Sequence, residues 1–327
     1  MKSIHLLSFM LLFLPTLSTA DTILDSRTRM LMGTYVSISL PEKENVHISA
    51  SFTLIQSIED SLSSYDPKAT LAILNKRHEV SYDRYLAEAI TLSKQYYNET
   101  NGYFDITIGS ISKKLYHFGE EKTYSPTKTQ LKNAKLNIDG IHMGKESIKI
   151  DKGIVVDLGG MGKGYAVDKV AVYLKEQNIT KGIIALSGDI QCLNRCEIYL
   201  QSPFSEETFA RVSTLHPYTS VSTSGTYRRH AGKKSEHHLI NPKTATQGKA
   251  FVSVSLFTIA DNSKMDAYAT AVSVMPRKEA LAFLKKHEKI GYVLVEADGN
   301  IIYGNLEELV KIKWQKTPQD VVSPQHI

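Results

Sequence analysis

The chain has 327 residues, with 39 lysines and arginines against 34 aspartates and glutamates, for a formal net charge of +5 at neutral pH. So mild a surplus keeps a protein soluble and slightly favours anionic ligands, but it lacks the basic density of a nucleic-acid binder. A chain of this length can bury a sizeable core, as one large domain or as two interleaved lobes.

The N-terminus carries its own signal. Lys2 supplies a positive charge, Leu6 to Leu17 is apolar apart from Ser8, Pro15 and Thr16, and Ser18-Thr19-Ala20 offers small residues for cleavage. That is the pattern of a secretory signal peptide, too short for a stable membrane span; an uncleaved anchor is the rival reading. Residues 1–20 are therefore expected to be removed, leaving a periplasmic protein with no spanning segment. The working domain is expected over 21–312, followed by a polar tail over 313–327.

In chain order, residues 30–40 alternate like a half-buried strand, and residues 46–63 and 83–99 carry apolar positions at helical spacing. Residues 148–157 read as a strand entering a glycine-rich turn, with a helix over about 162–177. A hairpin is expected over 182–200 and a short strand over 219–224. Helices follow over 261–274 and 277–287. Residues 291–295 and 301–303 close the domain as a hairpin around Ala297-Asp298-Gly299-Asn300. The alternation predicts an α+β fold.

The two cysteines, Cys192 and Cys196, flank Leu193-Asn194-Arg195. Read as a three-residue hairpin loop, this brings the thiols opposite each other within disulfide reach, and an exported protein keeps such a bond oxidised. A metal pair is the weaker alternative, since no histidine or third cysteine lies close by.

Three stretches could carry chemistry. Asp157-Leu-Gly-Gly-Met-Gly-Lys-Gly-Tyr-Ala-Val-Asp168 places four glycines between a strand and a helix, where backbone N–H groups can approach phosphates. It fits neither the dinucleotide fingerprint nor the P-loop, and tight helix packing would explain it equally well. Lys163 is a phosphate contact or a solvated helix-start lysine. Asp266 and Thr270 stand four apart on a helix and share a face, two hard oxygens suited to Mg²⁺ or Ca²⁺; a surface aspartate and a threonine bonded to its own helix are the plain alternative. In Glu236-His-His-Leu-Ile-Asn-Pro242, adjacent histidines point to opposite sides of a strand, leaving His238 as a base or a satisfied histidine.

The order of the blocks removes much of this ambiguity. Met32-Gly33-Thr34, Glu59 to Tyr65 with Leu71 and Asn75, Gly102-Tyr-Phe-Asp-Ile-Thr-Ile-Gly109 and the 157–168 turn come first. Ser187-Gly188-Asp189, Thr223-Ser-Gly-Thr-Tyr227, His238-Leu-Ile-Asn-Pro242 and Asp266-Ala-Tyr-Ala-Thr270 follow. Together they resemble the ApbE-type FAD:protein FMN transferase family from about residue 30 to 305. The resemblance implies an α+β, two-lobed fold with a flavin cleft between the lobes. It implies FAD as substrate and Mg²⁺ at its pyrophosphate. Met32 and Tyr65 would flank the flavin, Phe104, Asp105 and Ile106 would line the dinucleotide path, and Asp168 would hold the adenosine end. The carbonyl of Gly162 and the side chains of Asp266 and Thr270 would hold the metal, with Lys163 supporting the phosphates. His238 would be the base and Ile240 would line the site.

The implied reaction moves FMN onto a Thr or Ser hydroxyl of an exported acceptor flavoprotein subunit and releases AMP. Asn241 replaces the family's usual acidic residue, Ala245 its glycine after the threonine, Ser187 a glycine, and Met265 an alanine. The Asn241 change is expected to remove a negative charge from the catalytic block. An FAD diphosphatase and a non-enzymatic flavin-binding protein remain as rivals.

Overall fold

The computed structural model describes residues 23–227, 229–259, 261–315 and 321–322. The segment expected to be a signal peptide and most of the expected tail lie outside the described residues. The chain opens with β1 (Leu24–Leu31), β2 (Thr34–Pro41), α1 (Asn45–Leu62), α2 (Thr70–Arg77), β3 (Glu79–Ser81) and α3 (Arg84–Glu99). Next come α4 (Gly109–Ser112), α5 (Lys128–Lys132), β4 (Ile141–Met143), β5 (Ser147–Ile150) and α6 (Gly162–Glu176). The strands β6 (Ile183–Leu186), β7 (Asp189–Cys192), β8 (Glu197–Gln201), β9 (Thr208–Thr214), β10 (Thr219–Gly225), β11 (Ile240–Asn241), β12 (Thr246–Gln247) and β13 (Ser253–Thr258) follow. The last elements are α7 (Asn262–Val274), α8 (Arg277–Lys286), β14 (Gly291–Val295), β15 (Ile301–Gly304), β16 (Val310–Trp314) and β17 (Val321–Val322).

Among the described residues, nine strands form one sheet in the order β1-β2-β6-β7-β10-β13-β14-β15-β17, antiparallel except for the β15–β17 pair. A second sheet, β16-β9-β8, lies against it, and β3-β5-β4 forms a third. This is the expected α+β class. The strands in the middle of the large sheet are covered on both faces, and in β14 this reads as a run of four apolar residues, Tyr292 to Val295. In β13, Val254 and Leu256 join the core beneath the helices, while Phe257 joins the core between the sheets. In β14, Tyr292 and Leu294 face one core and Val293 and Val295 the other. The period of two thus sorts a uniform run into two layers.

The helices follow their periodicity closely. Ile48, Phe52, Ile55, Ile58 and Leu62 form the buried stripe of α1. Asp83 caps α3 by accepting the Leu86 N–H at 2.9 Å. By contrast, α7 is buried on nearly every side, packed against α6, β10 and β13. No helix among the described residues is long and apolar enough to cross a membrane.

Several expectations change. The strand expected over 30–40 is two arms of a hairpin, turned at Met32 and Gly33, both with positive φ (51° and 66°). That is the two-residue turn whose twist suits a hairpin. The strand expected over 148–157 ends at Ile150, because the following stretch is held by tertiary bonds: Asn75 brackets Val156 through both its amide atoms, at 2.7 and 2.8 Å. The cysteine hairpin does not form. Cys192 and Cys196 are disulfide-bonded, with Cα atoms 5.9 Å apart, but β7 belongs to the large sheet and β8 to the β16-β9-β8 sheet. Leu193 between them is fully buried and donates its N–H to the Gly182 carbonyl, so the segment crosses between sheets instead of turning back. The hairpin is β6–β7, turned at Ser187 and Gly188. Lys313 and Trp314, placed in the tail by the sequence boundary, pair with Arg211 and Ala210 in β16–β9.

Candidate active site

The glycine-rich turn stands at the start of α6, against α7. Gly164 allows the two helices to touch: a Cβ there would lie 2.6 Å from the Asn262 carbonyl oxygen. Gly160 faces Thr270 and Phe104, and its Cβ would fall 3.1 Å from Thr270 Oγ1 and 3.3 Å from Phe104 Cε2. Asp157 accepts the Gly159 N–H at 3.0 Å and the Ser112 hydroxyl at 2.7 Å, with Lys113 Nζ 3.8 Å away. Although burial opposes ionisation, Lys113, Ser112 and the Gly159 N–H together hold the Asp157 carboxyl below its usual range.

Asp266 and Thr270 share the face of α7 that meets this turn, as their spacing requires. Asp266 is 3 % exposed, and its Oδ2 accepts the Gly164 N–H at 3.2 Å and Lys163 Nζ at 3.0 Å. Thr270 Oγ1 lies 3.4 Å from the Gly160 carbonyl oxygen. Gly162 opens α6, with its own N–H bonded to the Leu158 carbonyl at 2.8 Å. A carboxylate, a hydroxyl and backbone carbonyls are hard donors, and a cationic group already lies among them, so the set suits a hard divalent ion.

Lys163 also reaches a residue absent from the sequence-based site. Its Nζ lies 2.7 Å from Asp189 Oδ2, at the start of β7, and Asp189 Oδ1 accepts the Ser222 hydroxyl at 2.6 Å. Burial alone would lower the Lys163 pKa, but the two carboxylates raise it above its ordinary value. Burial, with Asp266 beside it, pushes Asp189 up to about 6 against the pull of Lys163. The Ser187-Gly188-Asp189 block was the available signal; its strand pairing with β10 gives it a place.

α7 is pinned at both ends. Asp168, expected at the adenosine end, accepts the N–H groups of Asn262 and Ser263 at 2.6 and 2.8 Å, so it caps α7 from α6. Burial pushes its pKa up to about 6. At the other end, Asn241 donates its amide to the Val274 carbonyl at 2.9 Å and accepts the Lys243 N–H at 2.9 Å. The expected loss of charge from the catalytic block is thus a helix-end contact made by a buried amide.

His238 is half-buried. Its backbone N–H and its Nδ1 both face the Arg229 carbonyl, at 3.1 and 3.2 Å. A carbonyl only accepts, so Nδ1 carries the proton and Nε2 keeps its lone pair. Burial, the largest cause, pushes the imidazole down to about 4, which leaves it neutral at physiological pH. His237 points elsewhere, bonded through Nε2 to the Gly248 carbonyl at 3.0 Å.

Of the flavin-side candidates, Met32 borders the same turn, and Tyr65 is linked to it through Lys113. Met32, on the tip of the β1–β2 hairpin, brings its Cε within 3.9 Å of where a Gly162 Cβ would be. Tyr65 is 46 % exposed, donates its hydroxyl to the Phe118 carbonyl at 3.0 Å, and carries Lys113 Nζ 3.6 Å from its ring centroid. Phe104, Asp105 and Ile106 are buried: Phe104 backs Gly160, Ile106 accepts the Asp157 N–H at 2.8 Å, and Asp105 bonds Thr107. They brace the turn from behind. Ile240 is buried in a separate cluster with Ile111, Tyr116 and Phe118.

The family model described as the ApbE family matches residues 32–294, nearly all of this architecture. The chain belongs to the ApbE family. A protein of Klebsiella pneumoniae (strain 342) named FAD:protein FMN transferase is 25% identical over 302 residues, covering 89% of this chain and 95% of its own. One of the same name from Vibrio cholerae is 27% identical over 292 residues, covering 82% and 86%. The ApbE protein of Thermotoga maritima superposes with a TM-score of 0.75 at 20% identity, over 85% of this chain and 96% of its own. The flavin transferase ApbE of Vibrio cholerae gives 0.70 at 20% identity, over 89% and 97%. This ApbE-family chain therefore shares its fold with those two structures.

Proposed function

We propose that this protein is an exported FAD:protein FMN transferase. It moves the FMN moiety of FAD onto a Thr or Ser hydroxyl of a periplasmic acceptor flavoprotein and releases AMP. The observation that supports this reading is the acidic pocket of Asp266 and Asp189 around Lys163, with His238 a neutral histidine that keeps its Nε2 lone pair. The family's named relatives supply the substrate class.

Bond making and breaking balance as follows. The acceptor oxygen bonds to the FMN-side phosphorus, and the bond from that phosphorus to the bridging oxygen breaks, so that AMP departs with the bridging oxygen. The hydroxyl proton passes to His238 Nε2. Asp266, Thr270 and the Gly162 carbonyl would hold Mg²⁺, which neutralises charge on the pyrophosphate. The Gly159, Gly162 and Gly164 N–H groups are taken by Asp157, Leu158 and Asp266, while Met32 and Tyr65 would offer thioether and aromatic surface to the flavin ring.

The decisive experiment incubates the purified protein with FAD, Mg²⁺ and a candidate acceptor, then measures AMP and the intact mass of the acceptor. Transfer adds one FMN per acceptor and one AMP per transfer. AMP release with an unmodified acceptor would make the protein a diphosphatase, and no AMP at all would make it a flavin binder.

A further inference from the structure

Lys163 is placed where a divalent cation would compete with it. Its ammonium lies 3.0 Å from Asp266 Oδ2 and 2.7 Å from Asp189 Oδ2. The two carboxylate side chains are 4 % and 1 % exposed, while that of the lysine is 27 % exposed. Removing the ammonium without replacing it would leave two buried carboxylates uncompensated. The carboxylates are also fixed in direction, Asp189 by the Ser222 hydroxyl at 2.6 Å and Asp266 by the Gly164 N–H at 3.2 Å. The lysine, on a flexible four-carbon stem, is the member free to move.

We propose that Lys163 is a built-in counter-ion that competes with the divalent cation for Asp266. Entry of the cation drives its ammonium onto Asp189 alone, so Asp189 is a positioning residue that sets cation affinity. This rests on the assignment of Asp266 and Thr270 as the cation seat. Asp189 gives the displaced charge somewhere to go, and without it Lys163 has only Asp266 to neutralise and competes harder.

The test is calorimetric titration of the purified protein with Mn²⁺ alone, in the wild type and in K163M, D189N and D266A. Losing the competitor should tighten Mn²⁺ binding about tenfold in K163M, and losing the alternative partner should weaken it about tenfold in D189N, a shift typical of one charge pair. Opposite signs are the signature, since two merely structural residues would loosen the site together. If K163M binds Mn²⁺ no more tightly than wild type, or D189N no more weakly, the counter-ion proposal is overturned. Should K163M fail to fold, K163Q, which removes the charge but keeps a polar head between the carboxylates, is titrated in its place. If D266A binds Mn²⁺ as wild type does, the seat itself is wrong. If D266A loses Mn²⁺ while the other two variants do not diverge, the seat stands and only the counter-ion falls.

Discussion

Replacing Asn241 with aspartate restores the acidic residue that the family resemblance leads one to expect, yet the structure opposes it. The Asn241 side chain is 7 % exposed and donates to the Val274 carbonyl at the C-terminus of α7. An ionised carboxylate cannot donate, so the bond is lost and the last carbonyls of the helix face a like charge. Loss of the bond costs about 1 kcal/mol, and a negative charge at the negative end of a helix dipole costs about 0.5–1 kcal/mol more. Partial desolvation of the carboxylate brings the total to about 2–3 kcal/mol at pH 8. For a chain of this size that is a fall in Tm of about 3–5 °C.

Protonation relieves the strain, because a neutral carboxyl can donate to Val274. The folded pKa of the new aspartate is thus raised above its unfolded value. Its contribution is fully present below the unfolded value near 4 and is lost as pH rises through the folded one. Thermal melts of N241D and wild type at pH 5 and pH 8 measure this directly, and the gap should be wider at pH 8. Equal melting at pH 8, or a gap that narrows as pH rises, would refute the helix-end role.

Asp266→Asn keeps the shape of the seat and removes its charge, so FMN transfer at saturating Mg²⁺ should fall at least about a hundredfold while flavin fluorescence quenching persists; near wild-type transfer would remove Asp266 from the mechanism. For His238, depression to about 4 means that the acid limb of the transfer rate should lie well below pH 6, and a limb near 6.5 would contradict its burial. The same depression makes His238 favour stability above its ordinary value of 6.5 and lose that contribution as pH falls toward 4, so His238→Gln should flatten the stability–pH curve in that window. Replacing both Cys192 and Cys196 with serine opens a very short loop, and the chain-entropy cost of about 2 kcal/mol should lower Tm by only a few degrees; two free thiols in protein expressed in the periplasm would refute the pairing.

The longer helices of this protein were legible from residue order, whereas α2, α4 and α5 were not expected. Apolar spacing locates α1, α3, α6 and α7 to within a residue or two, because a helix satisfies its backbone from its own neighbours. The same local period places Asp266 and Thr270 on one face, and the glycines mark where the backbone of α6 must approach α7. The disulfide was legible too, though not its setting. Strand partners are chosen across the chain, so Cys192 ends β7 in one sheet while Cys196 leads into β8 in another, and β16 pairs with β9 far upstream.

The charges required the tertiary structure most of all. Asp189 joins Lys163 and Asp266 only because β7 pairs beside β10, where Ser222 aims its carboxylate. The resemblance placed Asp168 at the adenosine end and Asn241 as a departure beside the histidine block, and the packing of α7 brings them to its two ends. Residue types and their spacing determined which chemistry was available along the chain. Which buried charge meets which, and which polar side chain is taken up by a helix end, was decided only when sheet register and helix packing brought distant segments into contact.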